Sequence, residues 1–211
     1  MEEIINKIKD EAESYFENSC PSHDWSHVER VHNLAVYIGK NENADLFIIR
    51  LAALLHDVGR QKEEENPDKF DHAEISAEIA KEIMKKNNLD EETINKVLHC
   101  ILSHRFRKDN KPETKEAQVL FDADKLDSIG AIGIARAYCW AGNKKLKIYS
   151  DKDYLGTGYE KEHSPMTEFA YKLNNVKEKL LTESAKKIAN ERHNFMSDFF
   201  DRLEKEIKTE L

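Results

Sequence analysis

Through the first 105 residues, apolar positions recur at intervals of three and four, the spacing that lines one face of a helix. Ile4, Ile5, Ile8, Ala12, Tyr15 and Phe16 predict a first helix over 2–17, broken by Ser19-Cys20-Pro21-Ser22. Ser26 and Glu29 have the S-x-x-E spacing of a capping box, so a second helix is expected to start at Ser26. Its apolar face is Val28, Val31, Leu34, Ala35 and Ile38, with Gly39 near its end. A third helix over 44–58 is apolar almost all round, which suits the centre of a bundle, and Gly59 takes the place after its end. Residues 60–70 read as a charged loop. Ile75, Ile79 and Ile83 predict a fourth helix over 71–87, and Ile94, Val97, Leu98 and Ile101 a fifth over 91–105.

A charged connection with Pro112 spans 106–116, and 117–141 is apolar and Ala-rich, one or two helices around Gly130 and Gly133. The stretch 142–165 has no helical period and reads as a long loop or lid. Ser164-Pro165 has the form of a cap and first helical residue. Helices over 165–181 and 182–208 then follow, with Thr182 as a cap.

Gly 7 and Pro 4 in 211 residues leave few turns, so few and long elements are expected. The expected fold is all-α: one single-domain helical bundle over 1–211, with its chemistry in 20–141. With 33 basic and 41 acidic residues the chain carries a net charge of −8, which argues against a nucleic-acid backbone as partner. A local basic pocket for a small phosphate ester stays open. Cys20, Cys100 and Cys139 contain no CxxC, so neither a disulfide framework nor a zinc knuckle is indicated. Met1 leads into a charged segment and no run approaches the ~18 apolar residues of a span, so no membrane is expected and a reducing cytoplasm fits best.

Histidines carry the candidate chemistry. His27 is in line with Val31, Leu34 and Ile38, so its ring points inward. His56 closes the buried third helix on the stripe of Ile49 and Ala52, and Asp57 follows at once. His72 lines up with Ile75 and Ile79, and His104 edges the apolar face of the fifth helix. Asp124 shares a face with Leu120 and Asp127 inside an apolar segment. A buried carboxylate without a partner costs several kcal/mol. Imidazoles and carboxylates converging from separate helices suit Mn, Fe, Co, Ni or Zn better than Ca. The plainer alternative is a satisfied hydrogen-bond network in the core. His99 reads as surface, and His23, His32, His163 and His193 as structural or exposed.

The motifs HDWSHVERV at 23–31, LAALLHDVG at 51–59 and FDADKLDSIGAIGIAR at 121–136 resemble the HD-domain superfamily of metal-dependent phosphohydrolases. The C-terminal TESAKKIANERHNFMSDFFDRLEKE is similar to that of small bacterial and archaeal members, so the resemblance covers about 20–208. It implies His27, His56, Asp57 and Asp124 as ligands of a divalent transition metal ion, with Mg also admitted. It implies one ion and admits two. His72 matches a further ligand position, and His104 resembles the first of a His pair whose second place is Arg105 here.

The expected activity is hydrolysis of a nucleotide or related phosphate ester by a metal-activated water. Asp57, His72 or Asp124 would take the proton. Lys125, Arg60 and His104 would balance phosphate charge, and Asp127 would orient a ligand. The alternative is a metal-dependent regulatory protein that binds a phosphorylated metabolite without turnover. A structural metal in an interaction domain, or redox chemistry at a di-iron centre, are weaker alternatives.

Overall fold

The computed structural model describes residues 1–66, 69, 71–105, 110–150 and 163–210. Among them every regular element is helical, with no strand. The chain forms two compact units. The first comprises 1–19, 23–124 and 181–184, and the second 20–22, 125–180 and 185–211.

In the first unit, α1 (Glu2–Glu13) runs into a 3-10 turn at Ser14–Phe16, then come α2 (Trp25–Glu42) and α3 (Leu46–Leu55). They are followed by α4 (Arg60–Glu65), α5 (His72–Lys86) and α6 (Glu91–Ser103). Helix α7 (Lys115–Leu126) belongs to this unit as far as Asp124. As the all-round apolar pattern requires, α3 is central and packs against α1, α2, α5 and α6. Leu51, Ala52, Ala53 and Leu55 are wholly buried, each Leu contributing about 1.5–3 kcal/mol of transfer free energy.

Aspartates start four of these helices. Asp24, Asp45, Asp71 and Asp90 each accept from backbone N–H groups of the first turn of α2, α3, α5 and α6. This corrects the expected start of α2: Asp24 is the cap and Ser26 already lies in the helix, its N–H donating to Asp24 Oδ1 at 3.0 Å. His27 is therefore the third residue of α2. The second helix also passes Gly39 and ends at Asn43, in the left-handed conformation.

The expected charged loop at 60–70 instead contains α4. Gly59 lies between α3 and α4 with φ −92°, so it is not a left-handed stop. Its role is close approach: a Cβ there would meet Ser76 N at 2.7 Å, and its N–H donates to Ser76 Oγ at 2.9 Å. The wholly buried Asp122 of α7 accepts from Leu181 N (2.9 Å), Thr182 N (2.7 Å) and Thr182 Oγ1 (2.7 Å), which secures 181–184 to this unit.

The second unit holds α8 (Gly130–Asn143), α9 (Pro165–Tyr171), 3-10 turns at Leu173–Asn175 and Lys177–Lys179, and most of α10 (Glu183–Lys208). The Ser164-Pro165 start is as expected, Ser164 and Thr167 forming a reciprocal capping box. The helix expected over 165–181 stops at Tyr171. Leu173, Val176 and Leu180 are buried from 3-10 turns and their flanks, whose three-residue repeat mimics the spacing of an α-helix. Gly130 is at φ +77°, a Cβ there would meet Arg192 Cγ at 2.9 Å, and Arg192 donates to Leu126 O at 2.6 Å. Of the stretch read as a lid, 151–162 lies outside the described residues, as does 106–109 of the charged connection. No helix among the described residues is long and apolar enough to cross a membrane.

Candidate metal centre

His56 is the residue on which α3 closes. Its ring is wholly buried, and Nδ1 lies 2.8 Å from Ala53 O. A carbonyl only accepts, so Nδ1 donates, and in the neutral ring Nε2 carries the lone pair. That Nε2 is buried and has no hydrogen-bond partner. His104 repeats the arrangement at the end of α6, with Nδ1 2.6 Å from Ile101 O. Two helix ends thus present two Nε2 atoms to the same region, with each Nδ1 already engaged.

Asp57, in the turn after α3 and 4% exposed, lies between two groups of imidazoles. Its Oδ2 is 3.7 Å from His27 Nε2 and 3.9 Å from His56 Nε2. Its Oδ1 is 3.1 Å from His72 Nε2, without hydrogen-bond alignment, and 3.7 Å from His104 Nε2. Asp124 Oδ1 stands 3.6 Å from His27 Nε2, and His72 Nε2 stands 3.2 Å from His104 Nε2. Ligand atoms of His27, His56 and Asp124 lie within 4.8 Å of one another, and so do those of Asp57, His72 and His104.

Two ligands at ~2.1 Å from one ion are about 3.0–3.4 Å apart in octahedral or tetrahedral geometry. The observed separations are close to that range. A buried His56 Nε2 and a buried Asp57 Oδ1, neither with a hydrogen-bond partner, are what a cation satisfies and a complete hydrogen-bond network does not leave behind. The donor set fits a divalent ion in each group.

Electrostatics agree. Burial works against ionisation of Asp57, but His72 and His56, then Arg60, outweigh it and hold its carboxyl well below the ordinary range. Burial pushes the His104 imidazole down to about 3, helped by His56 and His72. Burial also opposes protonation of His72, but Asp57 and Glu63 overcome it and raise its pKa.

The other expected site residues fall into place as follows. Arg60 opens α4, and its guanidinium reaches His23 Nε2 at 3.0 Å and His72 Nδ1 at 3.1 Å. Lys125 and Asp127 belong to the second unit, where Asp127 is wholly buried and accepts from Arg136 at 2.9 Å. His163, read as structural or exposed, is buried against Trp140 and paired with Glu168 at 3.1 Å.

Two neighbours join the cluster: Glu63, which the sequence pattern missed, and Arg105, marked there only by its place in the His pair. Glu63 Oε2 is 2.6 Å from His72 Nδ1, and Arg105 NH1 is 2.8 Å from Glu63 Oε1. Glu63 lies in RQKEEE, which has no apolar residue to mark a helix, and its i−3 relation to Arg60 was the one available signal.

A fold of helices carrying His…His-Asp…Asp on converging ends defines an HD domain, and the HD domain model matches residues 24–129. The chain belongs to that family. It is 38% identical over 207 residues to the YpgQ protein of Bacillus subtilis, covering 95% of this chain and 92% of YpgQ. The crystal structure of YpgQ in complex with ADP superposes with a TM-score of 0.76 at 33% identity, covering 97% of this chain and 95% of that one. An HD-superfamily hydrolase from Bacillus thuringiensis gives a TM-score of 0.75 at 29% identity, covering 98% of each chain.

Proposed function

We propose that this chain is a metal-dependent phosphohydrolase acting on a nucleotide or a related small phosphate ester. The observation that carries the reading is Asp57, whose two oxygens face separate imidazole groups. His27, His56 and Asp124 would hold one ion and His72 and His104 a second, with Asp57 shared between them. When bound, a divalent ion lowers the pKa of water and offsets charge on the phosphoryl oxygens.

The protein's own groups do the rest. Asp124, 20% exposed where Asp57 is 4% exposed, is the carboxylate that solvent reaches, and it takes the proton from the attacking water. His56 and His104 turn Nε2 towards the ions because each Nδ1 donates to a carbonyl of its own helix. Arg60, 3.1 Å from His72 Nδ1, balances phosphate charge beside them. The ADP complex of YpgQ supports a nucleotide as ligand class.

The test is phosphate or pyrophosphate release from nucleoside mono-, di- and triphosphates by the ion-loaded protein. Release is expected from at least one class, with a loss of about 10²-fold or more in Asp57→Ala that still folds by circular dichroism. Equal release by that variant overturns the mechanism. Nucleotide binding to the loaded protein with no product over hours would leave a regulatory binding protein instead.

A further inference from the structure

The imidazoles of the cluster are oriented in two different ways. His56 and His104 stand at helix C-termini, where a carbonyl three residues back fixes Nδ1. His72 is the first residue of α5, so no preceding helical turn offers it a carbonyl. Something outside the helix must accept from its Nδ1 if Nε2 is to face Asp57 and His104 with a lone pair. Glu63 does this from α4, at 2.6 Å.

We propose that Glu63 is the positioning residue that aims His72 at the second ion, and that Arg105 holds Glu63 for that task. The proposal rests on the metal-centre reading above.

Arg105 lies just beyond α6, beside His104, and its NH1 grips Glu63 Oε1 at 2.8 Å while Oε2 takes His72. The same NH1 is 3.3 Å from Asp71 Oδ1, the carboxylate that caps α5. A Glu side chain has enough rotamer freedom to need such a second hold. Glu63, Asp71 and His72 also lie close enough together to take an ion themselves. The Arg105 guanidinium is within 3.3 Å of all three, and Arg60 NH1 is also nearer Nδ1 (3.1 Å) than Nε2 (3.4 Å), so positive charge already lies on the Nδ1 side, and an ion belongs on the Nε2 side, where Asp57 and His104 face the ring. A carboxylate behind a ligating imidazole fixes its ring and raises its basicity, and losing such a partner commonly weakens ion affinity by about 10–100-fold.

The experiment is titration of the metal-free full chain with Co2+, following visible absorption and counting ions per chain by elemental analysis. Wild type, Glu63→Ala, Glu63→Gln and Arg105→Met are compared, with circular dichroism reporting the fold. Wild type takes two ions. In Glu63→Ala the second ion binds about 10–100-fold more weakly while the first is unchanged. Glu63→Gln recovers most of the loss, because its amide oxygen still accepts from Nδ1–H, and Arg105→Met shows a smaller loss of the same kind.

Unchanged second-ion affinity in Glu63→Ala overturns the proposal. So does equal weakening of both ions, or Glu63→Gln behaving like Glu63→Ala. One ion in the wild type overturns this proposal and the second-ion half of the reading above, leaving His27, His56, Asp57 and Asp124 as a one-ion centre, whereas no ion overturns the metal centre as a whole.

Discussion

At the scale of single residues the account turns on which nitrogen of each imidazole holds the proton. His104 offers a test without any ion. Burial, His56 and His72 bring its pKa down to about 3 from the ordinary 6.5. The unfolded chain therefore takes up the proton first as pH falls. The stability His104 contributes is complete above pH 6.5 and is lost as pH drops from 6.5 towards 3. His72 has the opposite sign: its pKa is raised, so its contribution is present below 6.5 and lost as pH climbs through the raised value. His104→Gln is expected to flatten the acid limb of the Tm-against-pH curve of the metal-free protein, and an unchanged limb contradicts the assignment. The histidines and aspartates of the cluster were legible in the sequence because each interrupts an apolar stripe, where an uncompensated polar group is expensive. Glu63 was not, and Arg105 was visible only as the residue in the second place of the His pair. They are long charged side chains in charged segments, and nothing in such a segment distinguishes a side chain turned inward from one in solvent.

At the scale of elements, the helix ends do the positioning. Gly59 lets α5 approach the turn that carries Asp57, since a Cβ would sit 2.7 Å from Ser76 N and 2.8 Å from Ile75 Cβ. Backbone cannot yield as a side-chain tip can, so Gly59→Ala is expected to destabilise the protein by about 1–3 kcal/mol in a denaturant melt. It is also expected to weaken the second ion more than the first, because α5 carries His72. Asp24→Ala removes the cap of α2 just before His27 and is expected to cost about 0.5–2 kcal/mol, with Ser26→Ala costing less. A larger loss in Ser26→Ala would restore Ser26 as the cap. Apolar periodicity revealed α3 as the central helix because every face of it is buried. It missed α4, which buries no apolar residue. It overextended α9, because Leu173 and Val176 continue its spacing through 3-10 turns.

At the scale of the whole molecule, the net charge of −8 disfavours polyanions, while Arg60 and Arg105 provide positive charge beside the cluster. Asp122 ties distant parts of the sequence together, and Asp122→Ala leaves the N–H groups of Leu181 and Thr182 without their partner. A loss of about 1–3 kcal/mol in a denaturant melt is expected, with ion binding retained. Bound ions stabilise the folded chain by mass action, about 2.7 kcal/mol at a hundredfold excess over Kd, and a chelator should reverse the gain. The central claim is that Asp57 joins two ion-binding groups. The most direct test is the count of ions per chain, by elemental analysis after loading with Mn, Co or Zn and desalting, in wild type and in Asp57→Ala. Two ions are expected in the wild type, and tight retention of neither in a folded Asp57→Ala. Two ions retained in that variant, or fewer than two in the wild type, would contradict it.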